Sequence, residues 1–437
     1  MLSVNIYSQL VKHIPKGIVV FWARFYVLTS FITKTYGEAG VGFTGRFTFP
    51  DFIATIGLII LIGKKFTLPR ITAAIIMIFA FLAGAFYSLS AYATLFEVLI
   101  HFFLLLSVVL MYNAYRNNIC LLIQDVATVT IIASVIGLLD FFGGGFGLPR
   151  IFSGRADGEV VSGFRNAGQA GAYILVCLTI LIPVVFSDIS NLFTPRQKRL
   201  ITIGIIVGGL FLLSTAKIAA YIGVVFGFLF FNIFRRRVLP LIFTLVFGVV
   251  GYFVYDNLES FSTALNNRVK EKVRTRVTEN INGEKDPTKE GFLADNYGMA
   301  MSAFKINPYT GTGLGAFAGN YKRYEVHSTY FKMLGETGII GIIGYCVFIY
   351  FFIGQLRSFK KYPTYGGKIL NPFADYLKNM WPFILGCFIS WTYTYHLRKR
   401  EFWILCTIVI LCNLYAKFYE YSKKDAGKYL LPESISN

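Results

Sequence analysis

Apolar runs long enough to cross a lipid bilayer recur along almost the whole of this 437-residue chain. A helical span needs about 20 predominantly apolar residues, and a helix satisfies its own backbone hydrogen bonds where no water is present. The chain is 55% hydrophobic and only 15% charged, which excludes an ordinary soluble domain. The sequence therefore predicts an all-α integral membrane protein that crosses the bilayer many times.

The apolar runs predict about 12 transmembrane helices in a single polytopic membrane domain, residues 1–437. The expected spans are 17–33, 50–63, 70–90, 92–113, 119–142, 168–186, 200–214, 217–234, 238–255, 334–356, 381–396 and 402–418. The six cysteines form no CxxC pair, which argues against a disulfide framework or a zinc site. None of the four histidines has the spacing of a metal-ligand pair.

Basic residues between the spans predict the orientation. Clusters at Lys64–Lys65, Arg196–Arg199, Arg235–Arg237 and Arg357–Lys361 fall in alternate loops, which the positive-inside rule assigns to the cytoplasm. Both termini would then be inside, and three loops would be outside: 34–49, 143–167 and 256–333. The cluster Arg398–Arg400 falls on the outer side and violates the pattern. We attribute the net charge of +19 to topology and an anionic lipid substrate, with no nucleic acid as partner.

The longest of these loops, residues 256–333 between spans 9 and 10, is expected to be a large extracytoplasmic (periplasmic) loop. Near its end Asn307-Pro308 closes a helical run. Three glycines then predict a flexible, backbone-rich turn.

His327 follows, at the point where this loop passes into an apolar run. A helix opening at Ser328 would direct free N–H groups and its positive dipole end outward, which favours an anion there. The same dipole, together with the cations Lys322, Arg323 and Lys332 nearby in the sequence, would disfavour a positive charge on the imidazole. A neutral imidazole is what a general base requires.

The order and spacing of these residues resemble the O-antigen ligase and O-antigen polymerase superfamily of polytopic membrane proteins. In that family a segment of the form NPxxGxGxGxF precedes a histidine that opens HxxYxxxLxExGxxG. The corresponding residues here are Asn307, Pro308, Gly311, Gly313, Gly315, Phe317, His327, Tyr330, Leu334, Glu336, Gly338 and Gly341. A dinucleotide-binding interpretation of the glycines fails, because no βαβ unit surrounds them.

The resemblance implies a glycosyltransferase on the outer face of the bacterial cytoplasmic (inner) membrane. Its donor would be a glycan on undecaprenyl diphosphate, and its acceptor a hydroxyl of a glycan or lipid, as in O-antigen, capsule or exopolysaccharide biosynthesis. His327 would be the catalytic base, and no cofactor or metal would be needed. Five further motif residues would position the loop: Gly311, Gly313, Gly315, Tyr330 and Glu336.

Cations are the expected ligands of the donor diphosphate. Arg165 lies where the chain enters a span. Its side chain either binds phosphate or extends along the membrane interface with its charge in water. Lys217 lies at the tip of a tight outer turn where the superfamily usually has an arginine; it keeps the charge but lacks the bidentate fork. The family's second arginine precedes the Asn-Pro turn at a place that falls near Leu293 here. The nearest candidates are Arg268, Arg274 and Arg276.

Two other functions remain open from the residues alone. The acidic pair Asp157 and Glu159 is of the kind that binds a divalent metal in another class of membrane glycosyltransferase. A polysaccharide or ion transporter without catalysis would show repeats, broken helices and charges inside its spans, and the sequence shows few of these. The sequence does not distinguish a polymerase from a ligase, or a lipid-linked glycan from a lipid A core or a protein as acceptor.

Overall fold

The computed structural model describes most of the apolar runs and the segment around His327. The residues described are 17–33, 48–143, 162–215, 217–235, 242, 246, 249, 253, 256–261, 266, 292–317, 326–365 and 368–428.

Within these residues the chain is almost entirely helical. The helices are α1 (Ile18–Thr29), α2 (Phe49–Ile62), α3 (Thr72–Ala83), α4 (Ala91–Tyr115), α5 (Ile119–Gly143), α6 (Ala167–Val185), α7 (Pro195–Ser214), α8 (Ile218–Arg235), α9 (Leu258–Phe261), α10 (Phe292–Ile306), α11 (Thr329–Lys332), α12 (Gly338–Leu356), α13 (Pro372–Ser390) and α14 (Arg400–Lys428). A π-helical turn, Met333–Thr337, joins α11 to α12. One small antiparallel hairpin pairs β1 (Thr364–Tyr365) with β2 (Lys368–Ile369).

Among the described residues, six helices are long and apolar enough to cross a membrane. They are Ala91–Tyr115, Ile119–Phe142, Ala167–Val185, Pro195–Ser214, Thr329–Lys361 and Arg400–Tyr421. Four shorter apolar helices accompany them: Ile18–Thr29, Phe49–Ile62, Thr72–Tyr87 and Ala219–Arg235. The predicted all-α membrane fold is confirmed to this extent. The number of 12 spans and the large outer loop stay predictions.

Helix α13 begins well before its expected start at residue 381. Asn371 caps it by accepting hydrogen bonds from the backbone N–H groups of Phe373 and Ala374. Its polar first turns are buried because Arg235 donates to Asp375 Oδ1 at 3.1 Å and to Asn379 Oδ1 at 2.5 Å. The hydropathy of the sequence did not predict these turns, because their polar side chains are hydrogen-bonded inside the protein and not to water.

Helices α8 and α13 pack antiparallel along their whole length. A Cβ added at Gly223 would lie 3.3 Å from the carbonyl oxygen of Gly386, so small residues allow the backbones to approach closely. At one end of the pair Arg235 meets Asp375. Lys217 and Trp391 therefore lie at the other end of the pair. There the backbone N–H of Thr329, two residues after His327, donates to Trp391 O at 2.9 Å. We call this the His327 end.

The spans contain more buried charge than the sequence suggested. Arg398 pairs with Glu97 at 2.9 Å, and Arg24 with Asp125 at 2.9 Å. Arg400 pairs with Asp51, and its Nε donates to Asp51 Oδ1 at 3.0 Å. Each of these carboxylates thus has an arginine partner, as a charge within or beside a span requires.

Candidate active site

The glycine-rich turn after Asn307-Pro308 is tightly packed, so the prediction of a flexible turn is wrong. Gly311, Gly313 and Gly315 have φ values of 68°, 93° and 76°, which residues with a Cβ rarely adopt. An added Cβ would overlap the backbone of Glu336 at Gly311, the hydroxyl of Ser88 at Gly313, and the side chain of Glu97 at Gly315. Glycine is needed here for both the dihedral angles and the close approach.

This turn wraps around the π-helical turn that follows His327. Gly313 N donates to Glu336 O at 2.9 Å, and Thr312 N donates to Gly335 O at 3.2 Å. Ile339 N donates to Pro308 O at 2.9 Å. The two halves of the sequence motif are therefore one hydrogen-bonded unit, with a π-helical turn of the kind that is frequent at functional sites.

Glu336 lies at the centre of this unit and is fully buried. Its Oε2 accepts a hydrogen bond from Gly315 N at 2.5 Å, and its Oε1 lies 3.6 Å from Lys332 Nζ. Lys332 is also buried and lies 4.7 Å from the centre of the Tyr395 ring. Glu336 therefore offsets the positive charge that Lys332 was expected to place near His327.

A chain of contacts continues from Tyr395 to helix α4. The Tyr395 hydroxyl is hydrogen-bonded to His101 Nε2 at 2.8 Å, and His101 Nδ1 to Glu97 O at 2.7 Å. Glu97 pairs with Arg398 and packs against Gly315. Sequence reasoning missed Glu97 and Arg398 as neighbours of the motif. An acidic residue inside an apolar run was the available signal.

His327 is exposed, directly before the start of α11. The sequence predicted a helix that opens at Ser328. Ser328 is the N-cap of α11, since its side chain accepts a hydrogen bond from Phe331 N at 3.3 Å. The backbone N–H of His327 donates to Asn296 Oδ1 at 2.8 Å. Of the three histidines in the described part of the chain, His101 and His396 are buried. Only His327 is thus open to an external substrate.

The loop 391–399, between α13 and α14, holds the start of α11 from the other side. Thr329 N donates to Trp391 O, and the Thr329 hydroxyl donates to Thr394 O at 2.7 Å. His396 N donates to the same hydroxyl at 3.1 Å. The next residue of α11, Tyr330, donates a hydrogen bond from its hydroxyl to Phe388 O of α13 at 2.8 Å. Tyr330 therefore links α11 to α13, and its positioning role in the site stays a prediction.

Two titratable groups of this loop are shifted by burial. Burial lowers the pKa of His396 well below its usual value, and the nearby charge of Lys399 lowers it further. Burial also lowers the pKa of Lys399 to about 8. The His396 ring stacks on Trp391 with 5.6 Å between ring centres. A buried, neutral, stacked His396 is a packing residue, which leaves His327 as the candidate base.

Lys217 and the Arg165 segment are brought together at the His327 end. A Cβ added at Gly171 would lie 3.1 Å from Lys217 Cβ, and one at Gly168 would lie 3.9 Å from Lys217 Cε. The aliphatic stem of Lys217 thus lies along the first turns of α6. Arg165 precedes these turns, is exposed, and donates its backbone N–H to Thr33 Oγ1 at 3.1 Å.

Several sequence candidates lie outside the described residues. They are Arg268, Arg274, Arg276, Lys322, Arg323, Asp157 and Glu159. Within the described part of the chain, no group of three or more His, Cys, Asp or Glu side chains is placed to hold a metal ion.

Comparison with known proteins gives one family. Residues 201–346, about a third of the chain, match the family model described as O-antigen ligase. No curated protein matches the chain. The matched segment runs from the first turns of α7 into α12 and includes both Lys217 and His327. This match confirms the resemblance found in the sequence: residues 201–346 are similar to the O-antigen ligase family, and the apolar helices of the chain are those of a multi-pass membrane protein.

Proposed function

We propose that this protein transfers a glycan from undecaprenyl diphosphate to an acceptor hydroxyl on the outer face of the cytoplasmic membrane. The family implies a function of the O-antigen ligase or polymerase type, and a glycosyltransferase-like enzyme. One observation carries the finer proposal: Lys217 and His327 both lie within the matched segment, and antiparallel packing of α8 and α13 brings them to the same end of the bundle.

In this proposal His327 is the general base. Its imidazole accepts the proton of the acceptor hydroxyl as the hydroxyl oxygen forms a bond to the anomeric carbon of the donor. The bond from that carbon to the diphosphate oxygen breaks at the same time, and undecaprenyl diphosphate leaves with the bonding electrons. Exposure of His327 supports this role, since the acceptor has to reach it from outside.

Cations at the His327 end stabilise the departing diphosphate. Lys217 and Arg165 are the two for which the structure gives positions, and a fixed cation acts best in a partly dry cleft where its charge is poorly screened. Arg268, Arg274 and Arg276 are proposed as further ligands from the sequence alone. Negative charge that grows on the leaving oxygen is thereby neutralised by side chains.

The test is replacement of His327 by alanine, assayed with the lipid-linked glycan extracted from a deletion strain. We expect transfer to fall by about 10²- to 10⁴-fold, the usual loss when a general base is removed. Membrane level and donor binding should remain normal, because the exposed side chain fills no core cavity. Near-normal transfer by His327→Ala at a normal membrane level would contradict the base assignment.

The same purified enzyme tests the metal-dependent alternative. Turnover should persist in EDTA if side-chain cations alone bind the diphosphate. Loss of turnover in EDTA with recovery on adding magnesium or manganese would instead favour Asp157 and Glu159 as ligands.

The glycan profile of the deletion strain separates the remaining possibilities. Chains reduced to one repeat indicate a polymerase, and full-length chains left on the carrier lipid indicate a ligase. Lipid-linked glycan retained on the inner face of the membrane would favour a transporter.

A further inference from the structure

Helix α10 lies directly against the π-helical turn that follows His327. A Cβ added at Gly335 would lie 2.9 Å from Ala300 Cα, so the two backbones are in close contact. Asn296 lies one helical turn before Ala300 and therefore on the same face of α10. It is 2% exposed. Its side chain reaches from this face to the segment immediately before α11.

The contact between Asn296 and His327 is directional. Asn296 Oδ1 accepts the backbone N–H of His327 at 2.8 Å. A backbone N–H can only donate, so the amide oxygen must be the atom that faces His327. Helix propensity does not favour an asparagine inside a helix. The presence of Asn296 in α10 is instead explained by the hydrogen bond that its buried side chain accepts from His327 N.

The segment around His327 is thus held on both sides. Val326, just before it, is buried in a small apolar cluster with Ala303 and Phe317. Thr329, just after it, is held by the 391–399 loop. Between these anchors the His327 side chain is exposed, and the position of its Cα and the direction of its Cα–Cβ bond are set by its backbone. The hydrogen bond that His327 N donates to Asn296 Oδ1 holds that backbone in place.

We propose that Asn296 is a positioning residue for His327, and that it sets the backbone from which the imidazole reaches the acceptor hydroxyl. The inference rests on the proposed role of His327 as base. Asn296 touches neither substrate in this scheme; it acts through the His327 backbone. A displacement of about 1 Å in a catalytic group can cost 10²-fold in rate, which is the order of effect that loss of this contact should produce.

The test compares Asn296→Ala with Asn296→Asp, in the transfer assay with the extracted lipid-linked glycan. Asn296→Ala removes the acceptor and should lower kcat by about ten- to hundredfold with the KM for donor unchanged. Asn296→Asp keeps an acceptor oxygen and should restore most of the rate. Its carboxylate would also favour the imidazolium form of His327, so the pH at which activity appears should move upward. A merely structural role would not move this pH.

Hydrogen exchange provides a readout independent of activity. In Asn296→Ala the amide of His327 should exchange faster, while the amides of Thr312 and Gly313, which bond to Gly335 and Glu336, should keep their protection. Ser302→Ala is the matched control on the same helix, because its hydroxyl bonds only locally, to Gly298 O at 2.8 Å. It should leave both readouts unchanged.

Three outcomes would overturn the inference. The first is normal kcat in Asn296→Ala. The second is an Asn296→Asp variant that reaches the membrane normally but is no more active than Asn296→Ala. The third is absence of both variants from the membrane, which would make Asn296 a folding residue. His327→Ala in the same assay separates this inference from the proposed function: an inactive His327→Ala beside a fully active Asn296→Ala overturns only the role of Asn296.

Discussion

At the residue scale, Lys217 shows how two glycines on a neighbouring helix fix the position of a charge. Its stem lies along Gly168 and Gly171, so an apolar part of the side chain is packed while the ammonium is carried toward the His327 end. The sequence suggested the charge because the superfamily usually has an arginine in this turn. It gave no indication that α6 supports the stem, since that contact joins residues far apart in the chain.

We expect the charge of Lys217 to act mainly on donor binding. Lys217→Met keeps an apolar stem on the two glycines and removes the ammonium. A charge-assisted hydrogen bond contributes about 1.5–3 kcal/mol, so the KM for donor should rise by about tenfold or more. The kcat should change less, because the phosphates are charged in the ground state as well. Steady-state kinetics with the extracted lipid-linked glycan measures both.

Two variants check that result. Lys217→Arg restores the residue usual in the family and should be at least as active as the wild type. Arg165→Ala should raise the donor KM in the same way, because only its backbone N–H is needed for the contact with Thr33. An unchanged donor KM in both Lys217→Met and Arg165→Ala would rule out this pair as the phosphate ligands.

The motif residues themselves were located from the sequence, but their partners were not. Glu336 was expected to position the loop; the structure shows its Oε2 accepting a hydrogen bond from Gly315 N, and the functional role stays a prediction. Its ion pair with Lys332 was not expected. The sequence identifies a charged residue, but only the folded structure shows whether an opposite charge lies beside it. Spacing therefore identifies the candidate site, and packing decides which of its charges are available.

At the scale of elements, the glycine turn and the π-helical turn act as one rigid unit. Gly313→Ala should destabilise the protein, because φ is 93° and the new Cβ would overlap the hydroxyls of Ser88 and Thr94. Overpacking and a left-handed alanine each cost about 1–3 kcal/mol. We therefore expect a clear fall in the melting temperature of the purified protein in detergent.

Gly298→Ala is the matched control for this change. Gly298 lies within α10, where an added Cβ would have nothing within 4 Å. Alanine is favoured over glycine in a helix by about 0.5–1 kcal/mol, so this variant should melt at the same or a higher temperature. Equal melting of Gly313→Ala and the wild type would show that the turn can relax and is not rigid.

Helix boundaries were predictable where hydropathy changes at a cap. Helix α2 was expected at residues 50–63 and extends over Phe49–Ile62, after a capping box formed by Thr48 and Asp51. Helix α13 was placed too late, because Asp375 and Asn379 appear too polar for a span. Their partner Arg235 lies on another helix, and no local pattern reveals such a pairing.

At the scale of the whole molecule, the basic cluster Arg398–Arg400 has partners inside the protein, although it falls on the predicted outer side. Arg398 is neutralised by Glu97 and Arg400 by Asp51. Burial lowers the pKa of Lys399 to about 8, so this lysine is still largely protonated at neutral pH. The positive-inside rule counts lysines and arginines over all the short loops, and the other basic clusters together outnumber this one. The remaining basic loops therefore decide the topology.

We accordingly expect Glu284 and the His327 end to face outward and the basic loops to face the cytoplasm. The test is labelling of single cysteines in intact spheroplasts with a membrane-impermeant thiol reagent. Glu284→Cys should be labelled, and Lys361→Cys, in an exposed basic turn after α12, should be labelled only after lysis. Cys346 is the one exposed native cysteine, so both changes belong in a Cys346→Ser background. The opposite pattern, with Glu284→Cys protected and Lys361→Cys labelled in intact cells, would invert the topology and place His327 on the cytoplasmic side, where an outward-facing transferase has no acceptor.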